Sequence, residues 1–558
     1  MKKIILAALL ILALAFSSTA CDKIVENTDF VFSLLPDGTY EVSLHKSNTS
    51  EVIEIPDSHD GKPVTAIGIN GFANSETVKE IIVPDSINTI KFRSFANCPN
   101  LTRVFIGKGV EKFEKSLTAF GVMSDSTSLN GYFAGSDKVD GSFVVSGSVG
   151  ANLNTSDKVA AFSISMSADG DAFVGCTGLV SIEVDADNPS FTSIDGNLYS
   201  KDAETLIKYA PGKKETSFII PESVKRLDQN AFANSATLEE VTIPAGFAGV
   251  SSSDSSDKSD NPFATAFPGC VKLTEIKIDP KNDKYTAIDG NVYSKDGETF
   301  VYYAVGKTET SFTIPGGVKA IGDSAFSAGL SDVYATSVKY DTTTNDTSFS
   351  GGVDSAFVSN AATPQNALKL TEIIIPEGVV SIGAFAFAGC ADLANLSIPS
   401  SIEYISADAL SACKKLNYTV KDGLKYLGNK DNPYLVAAGF ESKEFSDVVI
   451  DASARIILAQ AFAKKSEIIT VEIPEGVVFI GANAFSDCNH LERVILPTSV
   501  KAIGNSAFYG CKNLEVISYL GSSSDFEKID IDTKNDSDKE PTFPWDKVTV
   551  GVPYSSPF

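Results

Sequence analysis

The apolar residues of this chain follow a pattern that repeats along most of its length. In the segment 471–516, VEIPEGVVFIGANAFSDCNHLER is followed directly by VILPTSVKAIGNSAFYGCKNLEV, and the two align without a gap. Their shared template is L-x-x-I-x-I-P-x-x-V-x-x-I-G-x-x-A-F-x-x-C, and its phenylalanine recurs at Phe462, Phe485 and Phe508. Self-similarity at a short fixed period is the signature of a repeat architecture. The sequence therefore predicts stacked units with a period of 23 residues.

Each unit carries signals for short, mostly extended structure. The alternating Ile-x-Ile before the proline has the period of two that is typical of a half-buried strand. Val-x-x-Ile-Gly predicts a second brief extended segment, and Ala-Phe-x-x-Cys has room for a single helical turn. One such unit cannot bury its apolar side alone, but stacked units would align Ile on Ile and Phe on Phe. The fold class that follows is a β-rich solenoid of leucine-rich-type repeats.

A longer duplication is superimposed on the short repeat. Residues 181–221 match residues 274–315, and a degenerate third copy spans 416–439. The first two copies each contain Asp-Gly-Asn, at 195–197 and 289–291, which is a hairpin-turn signal between β-rich runs. We therefore expect variant rungs of the same stack here and not inserted domains.

These motifs carry a resemblance to a known family. The I-P-x-x-V-x-x-I-G-x-x-A-F-x-x-C repeat, the IDGNLYSKD-type rung and the YLGNKDNPYLV segment are similar to the BspA-like family of bacterial surface leucine-rich-repeat proteins, over most of residues 30–520. The resemblance implies a right-handed solenoid at the cell surface and a role as an adhesin toward host matrix proteins or other bacteria. The family has no fixed binding motif, so it assigns no binding residue in this chain.

The N-terminus has the features of an export signal. Lys2 and Lys3 precede an apolar run from Ile4 to Phe16 that is too short to span a bilayer comfortably. Residues 18–21, Ser-Thr-Ala-Cys, resemble the lipobox of bacterial lipoproteins, although serine stands where leucine is usual. The resemblance implies that Cys21 is acylated and becomes the first mature residue, which would anchor the chain to a membrane. The alternative is an ordinary secretory signal with an incidental cysteine.

The predicted organisation has four parts. A signal peptide and lipobox (1–21) precede an N-terminal β cap (22–60), the repeat solenoid (61–520) and a C-terminal cap (521–558). Insertions rich in Ser, Thr, Asp and Gly interrupt the repeat near 114–171, 251–264 and 328–366. They are either tolerant loops that have drifted or a contact surface. The first is more apolar than a drifting linker requires, and its candidate partner-binding residues are Tyr132, Phe133, Phe143 and Phe162.

Composition and residue spacing argue against several classes of chemistry. The formal net charge of −25 would repel nucleic acid. Cysteines other than Cys21 follow a Phe or Leu by three residues, and Ser75 and Ser235 take the same place in other repeats. Such a place selects small side chains, which favours free thiols, although bridges between Cys390 and Cys413 or between Cys488 and Cys511 remain possible.

No motif for catalysis, metal binding or cofactor binding stands out. The histidines, His45, His59 and His490, have no metal-ligand spacing, and we expect them in surface loops. The acidic cluster of Asp530, Asp532, Asp536 and Asp538 fits a solvated loop better than a calcium site. The sole tryptophan, Trp545, fits cap packing better than a ligand platform.

The sequence therefore predicts a non-enzymatic lipoprotein, exported and anchored at the cell surface or outer membrane, without a cofactor. It would bind a protein or cell-surface ligand through its solenoid. The alternative is a structural or envelope-organising lipoprotein without a specific host ligand.

Overall fold

The structure is a computed structural model that describes most of the chain. It covers residues 29–114, 117–123, 160–166, 171–250, 261–327, 334–336, 355–357, 368–441, 447–533 and 543–551. The chain forms two compact units: unit 1 comprises residues 1–196 and 333–356, and unit 2 comprises residues 197–332 and 357–558.

Unit 1 is built from short strands, many of which pair in parallel with the equivalent strand of the next repeat. The central residues Ile53, Ile81, Val104 and Ile182 stand in register and are at most 2% exposed. The strands are β1 (Phe30–Leu34), β2 (Tyr40–Leu44), β3 (Val52–Glu54), β4 (Ser58–His59), β5 (Lys62–Ile67), β6 (Glu80–Val83), β7 (Thr89–Ile90), β8 (Arg103–Ile106), β9 (Lys112–Phe113), β10 (Leu117–Met123), β11 (Ala160–Met166), β12 (Ser181–Val184) and β13 (Phe191–Ile194).

Two parallel sheets form the sides of the rungs in unit 1. The order β12-β8-β6-β3 makes one sheet, and β2-β5-β7-β9 follows the second side. The hairpin β1–β2 opens the second sheet, because β2 pairs in parallel with β5 while β1 pairs antiparallel with β2. Phe30 of this hairpin meets Phe72 of the first rung, with ring centroids 6.4 Å apart.

Unit 2 repeats this construction. Its first strands are β14 (Asn197–Ser200), β15 (Thr205–Lys208), β16 (Ser217–Ile219), β17 (Arg226–Leu227), β18 (Glu240–Ile243), β19 (Gly249–Val250), β20 (Glu275–Ile278), β21 (Tyr285–Ile288), β22 (Asn291–Ser294), β23 (Thr299–Tyr302), β24 (Ser311–Thr313) and β25 (Ala320–Ile321). The third insertion follows in the chain with two short strands. β26 (Tyr334–Thr336) belongs to unit 1, and β27 (Ser355–Phe357) spans the residue at which the chain passes from unit 1 to unit 2. The remaining strands are β28 (Glu372–Ile374), β29 (Ser381–Ile382), β30 (Asn395–Ser397), β31 (Tyr404–Ile405), β32 (Thr419–Lys421), β33 (Leu424–Leu427), β34 (Val436–Phe440), β35 (Asp447–Val449), β36 (Ile456–Ile457), β37 (Thr470–Glu472), β38 (Phe479–Ile480), β39 (Arg493–Leu496), β40 (Ala502–Ile503), β41 (Val516–Tyr519), β42 (Asp530–Ile531) and β43 (Val548–Val550).

The C-terminal part of unit 2 shows the stacking most regularly. β35-β37-β39-β41-β43 form one parallel sheet, and β34-β36-β38-β40-β42 run in parallel along the second side. At the corners, a side chain of one rung bonds to the backbone of the neighbouring rung, 23 residues away. The Ser499 hydroxyl, for example, accepts the Gly476 N–H at 3.0 Å. The Glu475 carboxylate accepts the Thr498 N–H at 3.0 Å in the same way. Backbone polar groups are thus satisfied from rung to rung, which an extended stack requires.

Helix is scarce. Among the described residues the helices are α1 (Pro262–Ala266), α2 (Ser523–Phe526) and a 3-10 helix at Trp545–Lys547. The Ala-Phe-x-x-Cys segment, expected to form a single helical turn, forms hydrogen-bonded turns instead. Asn483 and Asp487 have φ of 55° and 57°, which interrupts a right-handed turn. The N–H of Phe485 donates to the Ala507 carbonyl of the next rung at 2.8 Å, so this side of the rung is bonded to its neighbour.

The Ala-Phe-x-x-Cys turns make up a third side of each rung, beside the two sheets. Aromatic rings form the core of this third side. Phe485 is fully buried and stacks between Phe462, at 5.1 Å between ring centroids, and Phe508, at 5.5 Å. The ring planes differ by 13° and 2°, respectively. Equivalent stacking joins Phe95 to Phe173 in unit 1 at 5.4 Å. The Phe-on-Phe ladder expected from the repeat is therefore present in both units.

The variant rungs contain tight hairpins at the Asp-Gly dipeptides. Asp289 and Gly290 have φ of 49° and 74°, and they connect β21 to β22 with Ile288 opposite Asn291. Asp422 and Gly423 connect β32 to β33 in the same manner, with φ of 49° and 77°. Two consecutive left-handed residues match the twist of a two-residue hairpin, which explains the Asp-Gly sequence.

Candidate binding surface

The first insertion contains a two-stranded ribbon that bears one of the predicted site residues. β10 and β11 pair antiparallel from Leu117 opposite Met166 to Met123 opposite Ala160. Phe162 lies in β11, opposite Gly121. The other candidates, Cys21, Tyr132, Phe133 and Phe143, lie outside the described residues.

The pairing register of the ribbon joins residues of two kinds. The pairs Leu117–Met166, Ala119–Ile164, Gly121–Phe162 and Met123–Ala160 contain only apolar residues and glycine. The pairs between them are Thr118–Ser165, Phe120–Ser163 and Val122–Ala161. Neither strand contains a charged residue, in a chain that is 21% charged.

The ribbon stands apart from the repeat sheets in its pairing. Within the described part of the chain, β10 and β11 pair only with each other. Natural proteins usually protect the edge of a sheet with a charge or a proline, and neither strand has one. A two-stranded ribbon is only marginally stable alone. Its uncharged composition makes it a candidate contact surface.

A second surface is the outward face of the sheet β12-β8-β6-β3. Arg103 lies at its centre and donates to both carboxylate oxygens of Glu183, at 2.9 and 2.8 Å, and to Glu80 at 2.6 Å. These hydrogen bonds raise the pKa of Arg103 and lower the pKa of Glu183. Half-buried Ile82 and Phe105 stand beside them in register. Arginine and an aromatic ring on a flat face are typical of protein interfaces, but here the arginine is already paired.

Sequence reasoning did not anticipate this charged cluster. Arg103 and Glu183 are 80 residues apart because the first insertion separates their repeats. Aligning the repeats across the insertion would have placed them on neighbouring strands. Glu80, which is 23 residues from Arg103, was within reach of the simple period.

Other sequence candidates occupy structural positions. His59 does not lie in a loop as expected: it is in β4, and its ring stacks on Phe32 at 3.8 Å between centroids. Trp545 is 49% exposed and packs edge-on against Phe543 at 4.8 Å. Asp530 begins β42, whereas Asp536 and Asp538 lie outside the described residues. Across the described ranges, no group of three or more His, Cys, Asp or Glu is arranged to hold a metal ion.

An open groove in unit 1 offers little chemistry. It has a volume of about 300 Å³ and is lined by Asn74, Glu76, Asn97, Pro99 and Gly175. Asn97 donates to the Asn74 side chain at 3.1 Å, so these two amides already bond each other.

In the described part of the chain, no helix has the length and apolar character needed to cross a bilayer.

The chain belongs to the BspA-type leucine-rich repeat family. The family model, described as BspA type Leucine rich repeat region, matches residues 43–130, 162–246, 209–327, 362–431 and 435–533. The match spans both units and includes β10 of the ribbon and residues 162–166 of β11. The resemblance drawn from the repeat motifs is thereby confirmed. No curated protein matches the chain.

Several solved structures are similar to the chain at low identity. A leucine rich cell surface protein from Faecalibacterium prausnitzii is 20% identical, with 90% of this chain and 96% of that chain covered and a TM-score of 0.31. A leucine-rich repeat protein from Bacteroides ovatus is 18% identical, with 88% and 93% covered and a TM-score of 0.30. The pneumococcal vaccine antigen PcpA is 13% identical, with 89% and 87% covered and a TM-score of 0.30.

Proposed function

We propose that this chain is a cell-surface lipoprotein that binds a macromolecular partner, a protein or a ligand on another cell, in the manner of an adhesin. The ribbon formed by β10 and β11 carries the proposal, because its two strands are uncharged and largely apolar and, among the described residues, pair only with each other. Family membership supports it, since repeat solenoids offer extended faces that suit large partners. The same faces are poor sites for small-molecule chemistry, which supports a non-enzymatic role.

The binding mode follows from the ribbon. An extended segment of a partner would add to an open edge by main-chain hydrogen bonds, while apolar side chains cover the face that contains Phe162. Backbone pairing supplies affinity, and the apolar face supplies selectivity. The acidic chain, with a net charge of −25, is a poor match for nucleic acid.

Charge placed on one face of the ribbon tests this proposal. We expect the double variant Phe162→Asp/Ile164→Asp to bind its partner roughly tenfold or more weakly, because carboxylates would be buried against an apolar partner. The matched control, Ser163→Asp/Ser165→Asp, puts the same charge on the opposite face and should change affinity by less than about threefold. Attachment is measured on purified extracellular-matrix proteins and on whole bacterial cells, after circular dichroism shows unchanged β structure.

Three other outcomes would redirect the assignment. Equal losses in both variants would indicate general charge repulsion, and no loss in either would move the site to outward sheet faces such as that around Arg103. Wild-type protein that binds no member of the panel would favour the structural or envelope-organising alternative.

Membrane anchoring through Cys21 is the second part of the proposal. It is supported by the basic, apolar and small-residue segments that precede Cys21. We expect a radioactive fatty acid to label wild-type protein in cells and not the Cys21→Ala variant. Equal label in both would rule out acylation at Cys21 and leave an ordinary secretory signal.

The finer architecture belongs to the same proposal. We infer a right-handed coil of 23-residue rungs, with a cap at 22–60, a solenoid at 61–520 and a second cap at 521–558. The antiparallel hairpin β1–β2 supports the first cap, because it begins a sheet whose next strands are parallel. A cap is needed because an exposed end of a stack invites aggregation.

A further inference from the structure

The cysteines of the repeats form ladders of their own along the third side of the rungs. The Cys488 thiol donates to the Phe462 carbonyl at 3.1 Å, and the Cys511 thiol donates to the Phe485 carbonyl at 3.1 Å. Because Phe462 and Phe485 stack directly, the two thiols occupy the same place in consecutive rungs. The same bond recurs at the other cysteines, where Cys98, Cys176, Cys270, Cys390 and Cys413 donate to Phe72, Phe95, Phe232, Phe326 and Phe387.

We propose that Cys488 with Cys511, and Cys390 with Cys413, are oxidisable pairs that close into cross-rung disulfides in the folded chain, whereas Cys98 with Cys176 stays reduced. These six cysteines and Cys270 are free thiols in the structure. Formation of these disulfides does not depend on partner binding. The oxidising environment that they need outside the cell rests on the export proposed above.

The distance between rungs fits a disulfide. Around the first pair, the Asp487 N–H donates to the Tyr509 carbonyl at 2.8 Å, and around the second the Gly389 N–H donates to Ser411 at 2.9 Å. Backbones bonded in this way lie about 4.8 Å apart. That spacing falls within the separation of about 4.4–6.8 Å between Cα atoms that disulfides span. The two Cβ atoms need to approach by less than about 1 Å for the bond to form.

Solvent access distinguishes the pairs. Cys413 and Cys511 are half-buried, so each of these two pairs has one sulfur within reach of a reagent. Cys98 and Cys176 are both 0% exposed. Thiol–disulfide exchange requires contact between the attacking sulfur and the external disulfide. Cys98 and Cys176 therefore occupy the same place in consecutive rungs but are out of reach of a dissolved reagent. This pair serves as an internal control.

The reaction balances with a small-molecule disulfide as the oxidant. The half-buried Cys511, as thiolate, attacks one sulfur of the external disulfide, forms a mixed disulfide and expels a thiolate. Cys488, also as thiolate, then attacks the Cys511 sulfur, forms the cross-rung bond and expels the second thiolate. The two protons lost by the cysteines end on the two released thiols, and the two electrons have reduced the external disulfide. The hydrogen bond with Cys488 and burial raise the pKa of Cys511, and burial raises the pKa of Cys413 to about 12. Only a small thiolate fraction of each attacking cysteine therefore reacts, and oxidation is faster at higher pH.

Peptide mapping after oxidation tests the proposal. The full chain with Cys21→Ala is treated with oxidised glutathione under native conditions, quenched with acid, unfolded, and alkylated with iodoacetamide. Of its seven cysteines, we expect alkylation of Cys98, Cys176 and Cys270 only, with Cys390 linked to Cys413 and Cys488 linked to Cys511. Oxidised protein should also unfold at a higher denaturant concentration than reduced protein.

Matched variants isolate each pair. Cys511→Ser keeps a small polar side chain at a place that serine occupies in another rung, at Ser235, and should abolish only the Cys488–Cys511 link. Cys413→Ser should abolish only the other link. Alkylation of all seven cysteines, glutathione retained on Cys511, or a Cys98–Cys176 link formed as fast as the other two would each overturn the proposal. Because purified chain is used without a partner or a membrane, these outcomes do not depend on the proposed binding function.

Discussion

The Phe485→Ala variant is expected to lose about 3–5 kcal/mol of unfolding free energy, the range for truncating a fully buried phenylalanine. Phe485 is 0% exposed and lies between the stacked rings of Phe462 and Phe508. Its removal leaves a cavity that both neighbouring rungs border. Rungs depend mainly on their nearest neighbours, so the loss should appear first as local unfolding of the C-terminal part of unit 2.

Denaturant unfolding followed by circular dichroism checks this expectation. Tyr509→Ala is the matched control, because it removes a ring next to Phe508 that is 42% exposed. The control should cost less than about 1 kcal/mol, as exposed truncations usually do. A change of that small size in Phe485→Ala itself would contradict the inward ladder on which the fold rests.

The ladder was predictable because each repeat places the same residue types in the same surroundings. Ile53, Ile81, Val104 and Ile182 occupy one register, and the alternation of apolar and polar residues around each is visible in the sequence. Stacking then follows from the need to bury one apolar side of every rung. The variant rungs were also recognisable, since Asp-Gly between β-rich runs is a strong hairpin signal.

The third side of the rung was harder to predict. The Ala-Phe segment has the composition of a helical turn, but left-handed residues flank the phenylalanine, at Asn483 and Asp487 in one rung. Asparagine and aspartate tolerate this conformation, which was a usable signal. Residue type alone does not decide it, because Ser506 and Phe385 adopt the same conformation with φ of 56° and 54°. Hydrogen bonds to the next rung impose the conformation, and those are visible only once the rungs are stacked.

The ribbon was harder to anticipate than the rungs. The apolar character of the first insertion indicated Phe162 as a candidate, but nothing local indicates that β10 pairs with β11, since more than thirty residues separate them. Strand pairing between distant segments depends on the register of the folded chain and not on either strand alone. The binding role of Phe162 stays a prediction.

Asn282 stabilises a corner of the stack through its side-chain amide. It is 0% exposed, and its Nδ2 donates to the carbonyls of Pro244, Ala245 and Phe247 at 3.1, 3.2 and 3.0 Å. Its Oδ1 accepts the N–H groups of Lys284 and Tyr285 at 3.0 and 2.9 Å. The amide nitrogen thus donates to the neighbouring rung, and the amide oxygen accepts from the rung that contains Asn282. Only a side chain with both functions satisfies these groups.

The Asn282→Asp variant should therefore be strongly destabilised at neutral pH and recover as the pH falls. The carboxylate keeps the acceptor oxygen but turns a second oxygen toward three carbonyls, without a donor or a cation. We expect a cost on the order of 3–5 kcal/mol, as for an uncompensated buried charge. Burial and carbonyl repulsion raise the pKa of the introduced carboxyl in the folded state above its unfolded value of about 3.9. The folded variant consequently binds a proton more tightly than the unfolded chain, and its stability relative to wild type rises on acidification.

We would measure the unfolding free energies of wild type and Asn282→Asp from about pH 7 to about pH 4. The stability difference between the two proteins should become smaller as the pH falls. Asn513→Asp is the matched control: Asn513 is exposed, so the same substitution there should show almost no penalty and no such recovery. A penalty at Asn282 that stays constant across this range would show that the carboxyl has the same pKa in the folded and the unfolded chain, which would contradict the expected effect of burial. The loss would then come from the missing N–H donors and not from a buried charge.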